Sequence, residues 1–217
     1  MLILIDDKVQ SSDAPAALKS SALSDTYEDS TSIAINLDAF YDINCIGFGY
    51  TDATEVTVSA IGLSETITVN GNGLYVLPET NNQVFTISHD GSYIGRVALG
   101  FSRSLGVAPT REAGFYTTHS PRTTLSGQIV ESAGGYNGRR IAVDFRYKIT
   151  EDMFNDFQAA FTYIAKGLPY FLKFTDKELV RMPFERLYAS PTDNNLLFQS
   201  SVNRFLYSYQ FDFYERF

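Results

Sequence analysis

From Ile33 to Phe101, apolar and polar residues trade places in short runs separated by turn formers. "IAINL" (33–37) alternates, whereas "INCIGFGY" (43–50) is apolar almost throughout. "EVTVSA", "ETITVN", "GLYVL", "QVFTIS" and "YIGRVALGF" follow. The stretches between them, "DAFYD", "TDAT", "IGLS", "GNG", "PETNN" and "HDGS", are rich in Gly, Asn, Asp and Pro. Short strands so closely spaced, with these breaks, predict a β-sandwich. Residues 11–32, small and polar with few β-branched side chains, read as an irregular segment or a wrapping arm. "SLGVAPTREAG", with Pro109 and two glycines, reads as a linker. It sets a boundary near Thr110 between a first unit, 1–110, and a second, 111–217.

The second unit has a different pattern. "RTTLSGQIV" and "RRIAVDFRYKI" are strands flanking a glycine-rich hairpin connection, "ESAGGYNG". One helix is expected over 151–166. Thr150 suits the N-cap, and Glu151 and Asp152 favour the positive end of the helix dipole. Met153, Phe157, Ala160, Phe161 and Ile164 form one apolar stripe, and Gly167 and Pro169 end the helix. The chain closes on "VNRFLYSYQFDFYERF". There Phe205, Tyr207, Tyr209, Phe211 and Phe213 alternate with a set containing Arg204, Ser208, Gln210 and Asp212. A strand from Val202 to Tyr214 would span about 43 Å at about 3.3 Å per residue, far beyond the usual strand. Its aromatic side would sit on the helix stripe. Its polar side would meet solvent, a neighbouring subunit or a lumen. The expected fold is mainly β: an N-terminal sandwich, then a C-terminal β-sheet or barrel with one flanking α-helix.

Composition agrees with a folded, globular chain. Of 217 residues, 44% are hydrophobic and 19% charged, enough for a sizeable core. No apolar stretch reaches the roughly 18 residues of a membrane span, and "MLILIDD" lacks the basic region of a signal peptide. The net charge of −8 is uneven: four basic and thirteen acidic residues stand up to Thr110, thirteen basic and twelve acidic after it. The first unit is therefore ill suited to phosphate backbones, and the second shows no basic stripe, so no nucleic-acid partner is expected.

Candidate chemistry is sparse. The single cysteine, Cys45, excludes a disulfide framework and, inside an apolar run, reads as a buried inert thiol. His89 in "SHDG" and His119 in "TTHSP" read as loop residues without metal-ligand spacing. Neither a Gly-x-Ser-x-Gly elbow nor a phosphate-loop ending is present. "AGGYNGRR" sets glycines beside Arg139 and Arg140, which reads as a hairpin turn before an anion site. Asp6, Asp7, Asp25, Glu28 and Asp29 could be imagined around Ca²⁺, but they lack loop spacing and read as a solvated acidic face. Glycoside hydrolysis needs two carboxylates, and nothing singles out a pair. No catalytic, cofactor or metal site is assigned.

Two resemblances add to this. "SIAINLDAFYDINCIGFGYTDATEVTVSA", closed by "YIGRVALGF", resembles the galactose-binding-like (discoidin-type) jelly roll, which implies sugar binding by end loops or a purely structural role. No residue matches a defined sugar motif. Over about 115–217, the β-hairpin, helix and aromatic ending look like a tailed-bacteriophage tail protein of the distal-tail or tube-like kind. That likeness implies a non-enzymatic virion protein at the tail tip, baseplate or tail junction, assembled in the host bacterial cytoplasm without membrane insertion. Its expected partners are further copies in a ring and other tail proteins, and no cofactor is implied. Arg204, Ser208, Gln210, Asp212, Arg139 and Arg140 are the expected oligomer- or lumen-facing residues. The alternative is a carbohydrate-binding module for host glycans, with Tyr41, Tyr50, Tyr75 and Tyr93 as candidate stacking residues.

Overall fold

The computed structural model describes residues 2–20, 25–69, 71 and 73–104. Beyond these it describes 110–117, 121–123, 129–131, 137–144, 155, 170–173, 186–190, 199–200, 207–208 and 210–215. The protein is mainly β, as its patterning predicts. Strand β1 (Leu2–Ile5) leads into a 3₁₀ turn at Lys8–Ser11 and a single helical turn, α1 (Ala16–Lys19). Then come β2 (Ser32–Thr51), β3 (Glu55–Ala60), β4 (Leu63–Thr68), β5 (Gly73–His89) and β6 (Ile94–Ser104). The second half contributes β7 (Thr110–Thr117), β8 (Pro121–Thr123), β9 (Ile129–Glu131), β10 (Asn137–Asp144) and β11 (Tyr170–Lys173). It ends with β12 (Arg186–Ser190), β13 (Gln199–Ser200), β14 (Tyr207–Ser208) and β15 (Gln210–Glu215).

Eleven strands form one sheet in the order β4-β3-β5-β2-β6-β1-β11-β12-β15-β10-β7, every pair antiparallel. The breaks expected at "DAFYD" and "PETNN" are not ends of strands. β2 and β5 run through both stretches, but their pairing shifts there. Leu37–Phe40 lie opposite the single Gln83, and Leu77–Glu79 lie opposite the single Asn44. Extra residues on one strand and then on the other bend the pair, which explains the turn-forming composition within continuous strands. The bend brings both halves of β2 and β5 onto one core. Ile33, Ile35, Val56, Val58, Phe85 and Ile87 from one half share it with Ile46, Phe48, Val97 and Leu99 from the other.

Burial follows the two sequence patterns. In Ser32–Asp38, Ile33, Ile35 and Leu37 are buried while the alternate residues are exposed, as in a strand with one wet face. Cys45–Gly49 and Ile94–Gly100 are buried without interruption, because a second layer covers their other face. There Leu4 and Phe171 pack with Cys45, Leu74 and Ala98. β1 supplies the junction, pairing Leu2–Ile5 with Phe101–Ser104 on one edge and Leu2–Ile3 with Leu172–Lys173 on the other. The predicted arm wraps the sheet. Its Ala14 and Leu18 enter the main core, joined by Val9 just before it, and Asp13 exchanges hydrogen bonds with the Asn36 backbone at 3.1 and 2.7 Å.

Two expectations for the second unit change. β9 pairs with β8 in a separate hairpin, so "ESAGGYNG" does not join two paired strands; β10 pairs with β7 and β15 instead. The closing aromatic run is carried as two strands with different partners: β14 pairs with β13, and β15 with β10 and β12. Tyr209 between them lies outside the described residues, as does the predicted 151–166 helix apart from Asn155.

The Phe171 ring, 1% exposed, lies flat against Gly47. A Cβ on Gly47 would fall 2.6–2.9 Å from three of its ring carbons, and a buried ring cannot swing aside. Gly47→Ala is therefore expected to destabilise by about 1–3 kcal/mol in urea unfolding. Gly47→Ala combined with Phe171→Leu should lose less than the sum of the two single losses.

Candidate functional site

The end of the sheet where β2 passes to β3 and β5 passes to β6 carries a dense polar constellation. Residues 50–55 and 90–93 are laced together there. Asp52 accepts hydrogen bonds from the Ser92 and Tyr93 backbone N–H groups, both at 3.1 Å. Thr51 Oγ1 donates to the Tyr93 carbonyl at 2.9 Å and accepts from Ala53 N–H at 3.1 Å. Asp90 answers from the other side, accepting from Thr54 N at 2.8 Å, Glu55 N at 2.9 Å and Thr54 Oγ1 at 2.5 Å. Gly91 makes the approach possible, since a Cβ there would lie 2.3 Å from Asp52 Oδ1 and 2.6 Å from Ala53 N.

This lacing holds two tyrosines side by side. Tyr50, 47% exposed, stacks on Tyr93 with ring centroids 5.3 Å apart and planes inclined by 28°. Tyr50 sits at φ 56°, a left-handed conformation that costs a bulky residue energy and persists only where its surroundings impose it. Burial, then the neighbouring Tyr50, raises the Tyr93 hydroxyl above its ordinary pKa. Of the four tyrosines singled out from sequence, only these two come together. Tyr75 is buried against Phe48 at 5.8 Å, and Tyr41 is half-buried beneath Lys8, whose Nζ lies 4.2 Å from the ring centroid.

The remaining candidates scatter. Arg204 and His119 lie outside the described residues. Ser208 is opposite Gln199 in the small β13–β14 ladder. Gln210 is opposite Asp144, Asp212 opposite Ala142 and Arg140 opposite Tyr214, so these positions fall in one alternating set. Arg139, opposite Phe115, falls in the other set. Cys45 is fully buried and donates to the Gly100 carbonyl at 3.3 Å, and burial pushes its thiol well above the usual value. His89 is not a turn residue. It ends β5, paired with Val56, and is 8% exposed with neither ring nitrogen partnered among the described residues.

Sequence reasoning also misplaced Asp7. Rather than joining a solvated acidic face, its carboxylate is fully enclosed 2.5 Å from Arg96, itself 1% exposed. Asp7 also accepts from Val9 N at 3.0 Å and Leu99 N at 3.3 Å. Arg96 donates onward to the Lys19 and Ser20 carbonyls, and the Gln10 carboxamide oxygen is placed to accept from both its Nη atoms at 2.7 Å. Burial raises the Asp7 carboxyl above its ordinary range, against the opposing pull of Arg96 and the two backbone donors. The signal was Arg96 itself, a charge inside the apolar run "YIGRVALGF". Among the described residues, no three His, Cys, Asp or Glu side chains gather as metal ligands would. The chain matches no protein-family model, no curated protein and no solved structure.

Asp90 gives a pH test of the loop lacing. Its bonds from Thr54 and Glu55 favour the carboxylate and hold its pKa at about 2, below the unfolded value of about 3.9. A depressed folded value means stabilisation that is present above pH ~4 and is lost as pH falls towards ~2. The wild-type urea midpoint should drop across that window, and Asp90→Asn should flatten the drop.

Proposed function

We propose that this chain is a non-enzymatic structural component of a tailed-bacteriophage virion. It forms a homo-oligomeric ring at the tail tip, baseplate or tail junction, in contact with other tail proteins. The observation that carries this reading is the continuous sheet. Both units contribute strands to it, and among the described residues β4 and β7 remain unpaired on their outer edges. Open edges of that kind invite pairing with another chain, and different surfaces at the two ends suit a head-to-tail ring. The register puts Gln210, Asp212 and Arg140 in one alternating set, which is compatible with a polar face turned to a lumen or neighbour. Native mass measurement with negative-stain imaging of the full chain tests the proposal. A closed ring of one defined mass is expected. A chain that stays monomeric at every accessible concentration, alone and with phage tail proteins, would overturn it.

A second reading, recognition of a host glycan, draws on the exposed Tyr50–Tyr93 stack, since an aromatic surface held in place by its own backbone can meet a sugar ring with little loss of entropy. It is compatible with a tail-tip location. On a glycan array the full chain is expected to give a signal that Tyr93→Ala reduces about tenfold. Silence from the wild type, or a signal unchanged by Tyr93→Ala, sinks this reading.

A further inference from the structure

The charge around the Tyr50–Tyr93 stack says which ligands it can hold. Asp52, exposed, lies 3.1 Å from the Tyr93 backbone nitrogen, well inside the roughly 8 Å over which physiological salt screens a charge. Asp90 and Glu55, also exposed, belong to the same laced loops. Glu28 approaches from the other edge of β6. Tyr27 and Ile94 exchange backbone hydrogen bonds there at 2.8 and 3.1 Å, which brings the exposed Glu28 alongside Tyr93. The lacing also keeps its carboxylates ionised. The Tyr93 N–H holds the Asp52 carboxyl below its ordinary value, as Thr54 and Glu55 do for Asp90.

Among the described residues, none of these four carboxylates has an ion pair. From Ser20 to Gly95 the chain holds ten acidic residues and no Lys or Arg. The four cations of the first unit are engaged elsewhere: Lys8 with Asp6, Lys19 with the Ser12 carbonyl, Arg96 with Asp7 and Arg103 over Phe101. A field of one sign concentrates opposite charge and repels like charge. A tyrosine face adds to that preference, because its π cloud attracts a cation held over it. An aromatic platform alone would accept sugars of any charge, whereas this one sits in a field that sorts them.

We infer that the Tyr50–Tyr93 platform prefers a sugar carrying a free, protonated amine and rejects acidic sugars. The sugar face lies on tyrosine and the ammonium turns towards the surrounding carboxylates. This rests on the glycan reading above and names the class of glycan.

The test is calorimetric titration of the full chain at slightly acid pH, where the sugar amine is charged. Three oligosaccharides of equal length are compared, built of glucosamine, N-acetylglucosamine or glucuronic acid. The glucosamine oligomer should bind about tenfold more tightly than its acetylated counterpart, and the glucuronic acid oligomer should give no heat. Raising salt from about 0.05 to about 0.5 M should erase most of that difference. Glu28→Gln/Glu55→Gln changes two exposed side chains outside the loop lacing, so it should fold as the wild type does. It should cut the amine preference about threefold or more and leave the affinity for the acetylated oligomer unchanged. Equal affinity for the charged and acetylated oligomers overturns the inference and leaves the glycan reading standing. So does an amine preference that the double variant leaves intact. Silence from the glucosamine oligomer overturns it too, and silence across the whole glycan array removes the glycan reading with it.

Discussion

Taking a carboxylate and a guanidinium out of water is among the costlier things a fold can do, and this fold does it with Asp7 and Arg96. Hydrogen bonds around the pair offset part of the penalty, although Arg96 Nε is buried without a partner among the described residues. Asp7 meets the guanidinium and two backbone donors, and Arg96 meets two backbone carbonyls of the arm. Removing either partner would strand a buried charge, at a cost of about 3–5 kcal/mol. What the pair fixes is position. Asp7 lies two residues past the end of β1, and Arg96 lies on β6, the strand against which β1 pairs. Because β1 is also the strand that meets β11, this ion pair anchors the junction through which the sheet continues from one half of the chain into the other.

The covering layer obeys the same constraint. For β1 and Phe171 to lie close on the sheet, the strand face beneath them must be nearly flat. Cys45, Gly47 and Ala98 provide that face with small side chains or none. Larger residues in the same strands point the other way, into the main core. The two buried faces of β2 are thus specialised, one for filling volume and one for close approach.

Much of the first half was legible. "IAINL" and "INCIGFGY" read as strands and Cys45 as a buried thiol, and all three appear, both stretches within β2. What covers the second face was not legible, because Phe171 lies far along the chain and a lone aromatic residue carries no address. The turn-like composition of "DAFYD" and "PETNN" was real, but it encodes a bend inside long strands; composition alone does not distinguish a bulge from a break. At the candidate site, Tyr50 and Tyr93 were singled out as aromatic, yet their stacking depends on Asp52 reaching across to the Tyr93 backbone. Asp7 was misjudged because exposure is the usual fate of an aspartate, and only the out-of-place Arg96 hinted otherwise.

The position of β1 has a consequence for synthesis. It can pair with β6 once Ser104 has emerged, but its other edge must wait for Leu172 and Lys173. At about 5–20 residues per second, that interval is roughly 3–14 s. Throughout it, the small-residue face of β2 and β6 is bare and β1 presents an unsatisfied hydrogen-bonding edge. Nascent chains crowded on one message would expose identical sticky edges to one another at that stage. The vulnerable moment of this protein is therefore set by ribosome pace rather than by the stability of the finished fold.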